Sequence, residues 1–343
     1  MIIYFISLLL IITLILFQFK YSFIKFKFNT NNHDIVKKKI DRIGGLYLLI
    51  FLLINIFNFK SFGMFGNTII FLFFSIIIFL IGFIDDLFQI NNKLKLFLLL
   101  FTTVMYVYLS DNYINNFNVG LIDSLNKIFI FNLLITSFCI LVIVISYNVI
   151  DGLNGLLLFE FCKLLLILSF FSKSYELILF LIFVSILCFF NFQKSYFYMG
   201  DGGSYLLGFI SSVMVLNFQN ISYNFDPWLF ACLFAYPFCE QFISMIRRYF
   251  FLNISPFKPD NLHLHHLVYS KFMSKLNNPK NANKLASLLI SLINLLFIFI
   301  IIINFSYNYV SFKYLFFYYL VFYVFNYFLI YKIEKKVNKN HGI

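Results

Sequence analysis

The stretch Ile128–Tyr147, IFIFNLLITSFCILVIVISY, runs directly into Asn148–Leu156, NVIDGLNGL. The first part is almost wholly apolar and long enough to cross a bilayer as a helix. The second part places one carboxylate, two carboxamides and two glycines together, and apolar residues resume directly after it. This junction predicts two membrane helices joined by a short polar turn at the membrane surface.

The whole chain follows the same pattern. Its apolar fraction is 62% and its charged fraction 12%, whereas a soluble domain is about half apolar and about a quarter charged. We therefore predict an all-α, polytopic membrane bundle of ten to eleven transmembrane helices that form one domain over residues 1–343. The eleven predicted segments are Ile2–Phe19, Leu46–Phe59, Thr68–Ile84, Leu94–Leu109, Ile128–Tyr147, Leu156–Phe171, Leu177–Phe192, Ser204–Phe218, Trp228–Ile246, Leu285–Ile303 and Val310–Ile330.

The net charge of +12 is unevenly distributed. Seven basic residues lie between Lys20 and Arg42 and seven more between Arg247 and Lys284, while alternate loops hold very few. Basic residues collect on the cytoplasmic side of membrane proteins. This distribution argues against a nucleic-acid partner. It predicts an inner-membrane protein with its N-terminus outside and its C-terminus in the cytoplasm.

Some apolar segments carry residues that need an explanation. Pro237 should kink or break the ninth segment. Glu160 and Lys163 are spaced to pair with each other inside the bundle, although intramembrane charges are also functional candidates. The five cysteines lie in apolar segments without CxxC spacing, so we interpret them as small buried hydrophobic residues.

Four polar clusters end or begin apolar segments: Gly82–Asp86, Asn148–Leu156, Gly200–Ser204 and His263–His266. The predicted topology puts all four on the cytoplasmic side. The predicted cytoplasmic loops that form the active site are 20–45, 85–95, 146–156, 193–204 and 247–284, of which the last four contain the carboxylates and histidines of the clusters. Such a convergence of carboxylates and histidines predicts a divided active site for a charged substrate at the membrane surface.

Asp85 and Asp86 end a helix, where the helix dipole disfavours negative charge, so they need a cation partner. Mg²⁺ takes oxygen ligands and substrate phosphates and fits this position. Lys93 and Lys95 could neutralise the carboxylates or bind phosphate. Asp201 sits in a glycine-rich cradle and is a second candidate metal ligand.

The NVIDGLNGL turn has a second regularity. Asn148, Asp151 and Asn154 recur every three residues, so a helical turn would place them on one face. Its glycines permit close approach to a ligand, and the following helix N-terminus favours anions. Tyr198, with its aromatic neighbours Tyr196 and Phe197, could stack on a base or belong to an interfacial aromatic belt.

The loop 247–284 is the longest internal loop, and its prolines oppose regular helix. It is long enough to cover the membrane face as a lid or substrate wall. His263, His265 and His266 could bind zinc together with Asp260. Neutralisation of phosphate by the histidines fits the acidic clusters better.

Taken together, these motifs resemble the polyprenyl-phosphate N-acetylhexosamine-1-phosphate transferases, which include the phospho-muramoyl-pentapeptide transferase of peptidoglycan synthesis. The resemblance runs in order from Arg42 to His266. The HxHH pattern is similar to that of the branch that initiates O-antigen and related surface glycans. The matching motifs are Arg42-Ile43-Gly44-Gly45, Asp85-Asp86 with Lys93 and Lys95, Asn148–Leu156, Gly200–Ser204, Arg247-Arg248, and Pro259–His266.

The resemblance implies transfer of a sugar 1-phosphate from a UDP-N-acetylamino sugar to polyprenyl phosphate, with release of UMP. It implies Mg²⁺ as cofactor, with Mn²⁺ as a substitute, and a homodimer as an oligomeric partnership. Asp201 is the implied metal ligand. The implied catalytic residues are Asp85, Asp86, Asp151, His265 and His266. The implied substrate-binding residues are Lys93, Asn148, Asn154, Tyr198, Arg247 and His263.

The sequence departs from the family pattern at several positions. Asp41 stands where a proline is usual, Asn154 where aspartate is frequent, and Glu240 where aspartate is common. Ile145 and Tyr196 replace an asparagine and a lysine. Three alternatives stay open: a polytopic transporter, the peptidoglycan enzyme, and an inactive homologue that only binds lipid. Transporter acids tend to lie at the bilayer midplane, whereas these lie at predicted cytoplasmic ends.

Overall fold

The computed structural model describes residues 2–21, 41–55, 65–221, 226–256, 260–307 and 309–340. Within these ranges the chain is helical and has no strand, so the predicted all-α class is confirmed. The helices are α1 (Ile2–Tyr21), α2 (Gly44–Asn55), α3 (Thr68–Phe88), α4 (Asn92–Ser110), α5 (Gly120–Leu125), α6 (Phe129–Ile150), α7 (Leu156–Ser172), α8 (Tyr175–Phe189), α9 (Gly200–Ile221), α10 (Pro227–Leu233), α11 (Ala235–Ile246), α12 (Leu264–Leu276), α13 (Pro279–Tyr307) and α14 (Phe312–Asn340).

Six helical segments within the described ranges are long and apolar enough to cross a membrane, and the bent pair α10–α11 would make a seventh. Two shorter apolar stretches, Ile6–Gln18 and Gly44–Asn55, lie in α1 and α2. The chain is therefore a polytopic helix bundle. The six are Thr68–Phe88, Asn92–Ser110, Phe129–Ile150, Tyr175–Gln193, Pro279–Tyr307 and Phe312–Lys332.

Helix α9 is the centre of the bundle. It packs against α2, α3 and α6, and every residue from Gly202 to Phe218 is buried. A helix that is buried all round belongs to the core of a large bundle. The first turn of α9 carries Asp201, so the core helix also carries a predicted site residue to one end of the bundle.

The ninth predicted segment is broken, as Pro237 predicts. Helices α10 and α11 meet at Phe234 at an angle of 72°. A proline inside a helix removes one backbone donor, and its ring clashes with the carbonyl four residues earlier, here that of Leu233. Leu233 is the last residue of α10, so the break falls where the clash would occur.

The charged pair in α7 is confirmed as a closed network. The Lys163 ammonium donates to Glu160 Oε2, and both side chains are buried. Asn294 of α13 donates to Glu160 Oε1 over 2.7 Å, and the Tyr319 hydroxyl of α14 donates to Asn294 Oδ1 over 2.7 Å. The pair therefore ties α7 to two later helices.

The expectation that prolines keep residues 247–284 out of regular helix was wrong for most of this segment, whereas its role as a lid or substrate wall stays a prediction. A π-helical turn, Arg247–Phe251, extends α11, and α12 and the start of α13 occupy much of the remainder. The two prolines that suggested a loop lie only at 256 and 259, before α12 begins. Helix α12 packs against α13 and α14.

Candidate active site

The acidic cluster forms where the ends of α3 and α9 cross. A side chain at Gly82 would place its Cβ 2.5 Å from backbone atoms of Asp201 and Gly202, so only glycine permits this crossing. Asp85 and Asp86 follow one turn later at the end of α3. The close approach therefore brings three carboxylates together, as the sequence predicted.

Two cations contact these three carboxylates. Arg42 Nη1 donates to Asp86 Oδ1 over 2.9 Å, and Lys95 Nζ donates to Asp85 Oδ2 over 2.7 Å. Lys95 also lies 3.8 Å from Asp201 Oδ2. Of the two lysines named from the sequence, Lys95 therefore contacts the cluster, whereas Lys93 is exposed and its backbone N–H bonds to the Asn91 side chain.

Asp85 and Asp86 also accept hydrogen bonds from the backbone. The N–H of Ile90 donates to Asp85 Oδ1 over 2.7 Å, and that of Gly202 donates to Asp86 Oδ2 over 3.4 Å. Both carboxylates are almost fully buried, but the Asp201 side chain keeps 28% of its surface exposed. Asp201 is therefore the acid of this cluster that is most accessible to a ligand.

The number of available carboxylates fits Mg²⁺. In the described part of the chain, no three His, Cys, Asp or Glu side chains already converge on a metal position. Mg²⁺ is usually held by one or two carboxylates, with waters and substrate phosphates completing the octahedron. The exposed Asp201 beside the buried Asp85 is a donor set of this kind.

The NVIDGLNGL turn has a different geometry from the one predicted. Helix α6 ends at Ile150 and α7 begins at Leu156, so Asn148, Asp151 and Asn154 do not lie on one face of a single helix. The Asn154 side chain does not join Asn148 and Asp151 on one face; it donates to Ser195 Oγ over 2.7 Å. The glycines explain the difference, because they end the helix and allow an irregular turn.

Asp151 nevertheless stays close to the acidic cluster. Burial and then the nearby charge of Asp86 raise the pKa of Asp151 well above its usual range, against the opposing charge of Arg42. Asn148 lies beside Tyr205, a buried tyrosine of α9 that also senses the charges of Asp201 and Asp85. The turn and the carboxylates therefore share one electrostatic environment.

The histidines approach this turn from the other side of the bundle. His265 is fully buried, and a side chain at Gly152 would collide with its Nε2 atom. The ring centroids of His265 and His266 are 4.3 Å apart, and His266 is partly exposed. The structure therefore brings His265 and His266 to the turn that holds Asp151, as the divided-site hypothesis requires.

Arg247 and His263 belong to an ion-pair network around Asp260, and His263 connects this network to Glu240. Arg247 Nη2 contacts both carboxylate oxygens of Asp260 at 2.7 and 2.6 Å, and Arg248 Nε contacts Asp260 Oδ2 at 3.0 Å. Arg247 also donates to the Tyr327 hydroxyl of α14. Burial opposes ionisation of Asp260, but the two arginines outweigh it and lower the pKa to about 2.

Tyr198 is half-buried beside the segment that enters α2. Its backbone N–H donates to the Asp41 carbonyl over 2.9 Å, and its carbonyl accepts from the Gly44 N–H over 2.9 Å. These bonds fix the chain that carries Arg42 against the start of α9. A stacking role for the Tyr198 ring stays a prediction.

Some residues that shape the site lie outside the motifs identified in the sequence. Asn191 Oδ1 accepts from the Gly155 N–H over 2.6 Å, and Asn283 Oδ1 accepts from the Asn154 N–H over 3.1 Å. Both shape the turn from distant helices. Glu240 was noticed only as a departure from a pattern, although an acid inside an apolar segment is itself a functional signal.

The fold and this site define a polytopic membrane protein with three carboxylates and two contacting cations at one end of its bundle. Residues 68–219, from α3 to α9, match glycosyl transferase family 4. The matched region contains the Asp85–Asp86, Asn148–Leu156 and Gly200–Ser204 motifs. This match and the relatives below agree with the resemblance found in the sequence, which is confirmed.

Three relatives are each named undecaprenyl-phosphate alpha-N-acetylglucosaminyl 1-phosphate transferase. The Thermotoga maritima protein is 27% identical over 69% of this chain and 70% of its own length. The Yersinia pestis protein is 24% identical over 55% of this chain and 54% of its own length. The Pasteurella multocida protein is 38% identical over a shorter stretch, 22% of this chain and 21% of its own length.

Proposed function

We propose that this protein transfers an N-acetylamino-sugar 1-phosphate from a UDP-sugar to undecaprenyl phosphate and releases UMP. The single observation that carries the proposal is the convergence of Asp85, Asp86 and Asp201 with Arg42 and Lys95 at one helix crossing. The match of residues 68–219 to glycosyl transferase family 4 and the activity named in the relatives support the same reaction. The product would initiate a lipid-linked surface glycan such as O-antigen.

The arrangement suits the meeting of two anionic substrates. Attack of one phosphate on another concentrates negative charge, which positioned cations and hydrogen-bond donors must offset. Asp201 and Asp85 would hold Mg²⁺, which would supply charge neutralisation at the diphosphate. Lys95 would keep Asp85 oriented and Arg42 would keep Asp86 oriented while the phosphates bind.

The other predicted residues keep their proposed roles. Asp151 and Asn148 would contact the nucleotide, Asn154 would do so on release of its bond to Ser195, and Tyr198 would stack on uracil. His265, His266 and Arg247 would act on the diphosphate and the sugar. Because Arg247 is already paired with Asp260, its contribution would depend on how that pair rearranges.

The acceptor lipid needs an apolar path beside the site. An apolar cavity of about 370 Å³ is lined by α6, α9, α10 and α14. Its Ser146 end, two residues before Asn148, approaches the site, whereas the α9 residues that line it, between Ser212 and Gln219, lie toward the opposite end of that helix from Asp201. Burying isoprenoid units there would add affinity through the hydrophobic effect.

We propose direct transfer. The lipid phosphate is already an anionic nucleophile, so a protein carboxylate that replaced it would add little. Alignment of the two phosphates is what the reaction lacks, and positioning is worth up to about 7–11 kcal/mol in good intramolecular reactions. Asp85 would position or deprotonate the lipid phosphate, and the lipid oxygen would displace UMP from the sugar-bearing phosphorus.

The test uses purified protein, a panel of labelled UDP-sugars and undecaprenyl phosphate. We expect a sugar-phospholipid product and UMP in equal amounts, dependent on Mg²⁺ or Mn²⁺. Absence of product with every UDP-N-acetylamino sugar would refute the function. Exchange of labelled UMP into UDP-sugar by lipid-free enzyme would refute direct transfer, because that exchange requires a covalent intermediate.

We also propose eleven membrane segments, with the N-terminus outside and the site facing the cytoplasm. In a background without native cysteines, cysteines placed at Asn91 and Asn278 should be shielded from impermeant thiol reagents in intact cells. A cysteine placed at Asn115 should be labelled. Labelling of all three positions would overturn a one-sided cytoplasmic site.

A further inference from the structure

Glu240 is a fully buried acid of α11 whose carboxylate meets the start of α12. Oε2 accepts the N–H of Leu264 over 3.2 Å, and Oε1 accepts the N–H of His265 over 3.3 Å. Oε1 also lies 3.1 Å from Nδ1 of the His265 ring and accepts the Tyr236 hydroxyl over 3.1 Å. One carboxylate therefore caps α12 and holds the His265 ring.

This contact determines which nitrogen of His265 faces outward. An ionised carboxylate can only accept hydrogen bonds, so Nδ1 of His265 must carry the proton that it shares with Glu240. The other nitrogen, Nε2, is buried and has no hydrogen-bond partner among the described residues. A buried polar atom without a partner costs about 1–3 kcal/mol, which a bound substrate would recover.

The direction of Nε2 is given by Gly152. A Cβ at this glycine would collide with Nε2 and lie 2.8 Å from the adjacent ring carbon. The unpartnered nitrogen therefore points at the turn that holds Asp151, where the proposed nucleotide site lies. Any larger residue at position 152 would separate the histidine from this turn.

His263 carries its proton on the same ring nitrogen as His265, but its Nε2 atom has a partner. Arginine can only donate, so Arg248 Nη2 at 3.2 Å requires a lone pair on His263 Nε2. The proton then sits on Nδ1, which lies 2.9 Å from Ser244 Oγ. Burial lowers the pKa of His263 despite the opposing charge of Glu240. His263 is thus a neutral part of the Arg–Asp260 network, and its ring nitrogens are both engaged.

We infer that Glu240 is a positioning residue that aims Nε2 of His265 at a phosphate oxygen of the nucleotide sugar. The inference rests on the proposed function. In the imidazolium form of His265, Nε2–H donates to the phosphate while Glu240 balances the charge behind the ring. The same carboxylate keeps the ring from rotating, since its other contacts fix the start of α12.

The experiment compares E240Q, H265A and the E240Q/H265A double variant with the wild type. We expect E240Q to lower kcat about 10- to 100-fold, the usual effect of removing a carboxylate that orients a functional histidine. The double variant should be no slower than H265A, because Glu240 acts only through His265. E240D should recover part of the loss, since it keeps the carboxylate.

Y236F is the matched control, because it removes another hydrogen bond to Glu240 Oε1 without touching His265. We expect near-normal kcat for Y236F. Thermal unfolding of each purified variant separates loss of folded protein from loss of turnover. If E240Q does not fold, E240D is measured in the wild-type and H265A backgrounds, which gives the same test of whether the two losses are independent.

Multiplicative losses in the double variant would overturn the positioning role, because they would mean that Glu240 acts independently of His265. Equal slowing by Y236F would also overturn it, as a general packing effect. Failure of the wild type to release UMP with any sugar would instead refute the proposed function. Binding of UDP to the purified protein then tests the inference alone: the double variant should bind UDP no more weakly than H265A, and multiplicative weakening would overturn the inference.

Discussion

The protein contains two acid–lysine clusters that look alike in sequence and differ in three dimensions. Glu160 and Lys163 in α7 are sealed inside the bundle, and Asn294 and Tyr319 complete their hydrogen bonds. The cluster at the crossing of α3 and α9 has three carboxylates, Asp85, Asp86 and Asp201, and two cations in contact with them.

The difference separates a structural pair from a functional one. A buried network with balanced charge and satisfied hydrogen bonds rigidifies a core. The crossing has more acids than contacting cations, and one acid, Asp201, is 28% exposed. Residue type alone therefore does not reveal function; charge balance and access do.

Asp201→Asn should have the largest effect on activity. We expect turnover to fall by about 10³-fold or more, because the change removes a charged oxygen ligand where phosphate charge must be offset. The melting temperature should stay close to that of the wild type. The measurement is UMP release by purified protein at saturating Mg²⁺.

Glu160→Gln is the matched control for this prediction, since it also neutralises an acid paired with lysine. It should retain most of the activity per folded molecule. Near-normal turnover of Asp201→Asn with unchanged Mg²⁺ dependence would exclude Asp201 as a metal ligand and remove the contrast between the clusters.

Lys163→Met should have the largest effect on stability. Breaking a buried pair by removing one partner costs about 3–5 kcal/mol, because an uncompensated charge stays in the bundle. The double replacement of Glu160 and Lys163 by Leu and Met should recover much of this loss. Unfolding in detergent measures the stability of the single and the double variant. A smaller loss of stability for Lys163→Met than for the double variant would contradict the sealed-pair interpretation.

Lys95→Met should lower kcat about 10- to 100-fold, as expected when a residue that orients a catalytic group is lost. Lys93→Met, two residues away and exposed, should change kcat less than about threefold, in line with surface substitutions. The pair is informative because the sequence motif contains both lysines. Equal effects would show that Lys95 has no special role despite its contact with Asp85.

Asp260→Asn should have the smallest effect of these changes, about 1–2 kcal/mol of stability at neutral pH after allowance for solvent screening. The pKa of Asp260 is lowered to about 2 in the folded protein. Its stabilisation is therefore complete above about pH 4, the ordinary pKa of aspartate, and is lost as the pH falls through 2. Unfolding at pH 7 and at pH 3 should show the variant and wild type converging, and a constant difference would contradict the ion-pair origin.

The sequence by itself determined the helical membrane class, the family resemblance and the positions of the polar clusters. Apolar run length dictates helices in a bilayer, because every backbone polar group must bond within its own segment. Pro237 likewise identified the break in the ninth segment, and the spacing of Glu160 and Lys163 identified their pairing. These properties depend on local chemistry, which a linear pattern contains.

Only the tertiary structure decided which side chains meet. The crossing at Gly82 brings Asp201 to Asp85, a contact between residues far apart in the chain. The fold also selects Lys95 over Lys93 at the acidic cluster, directs Asn154 toward Ser195, and places Glu240 behind His265. Such partnerships depend on how distant helices pack, and helix packing is set by side-chain shape across the whole bundle.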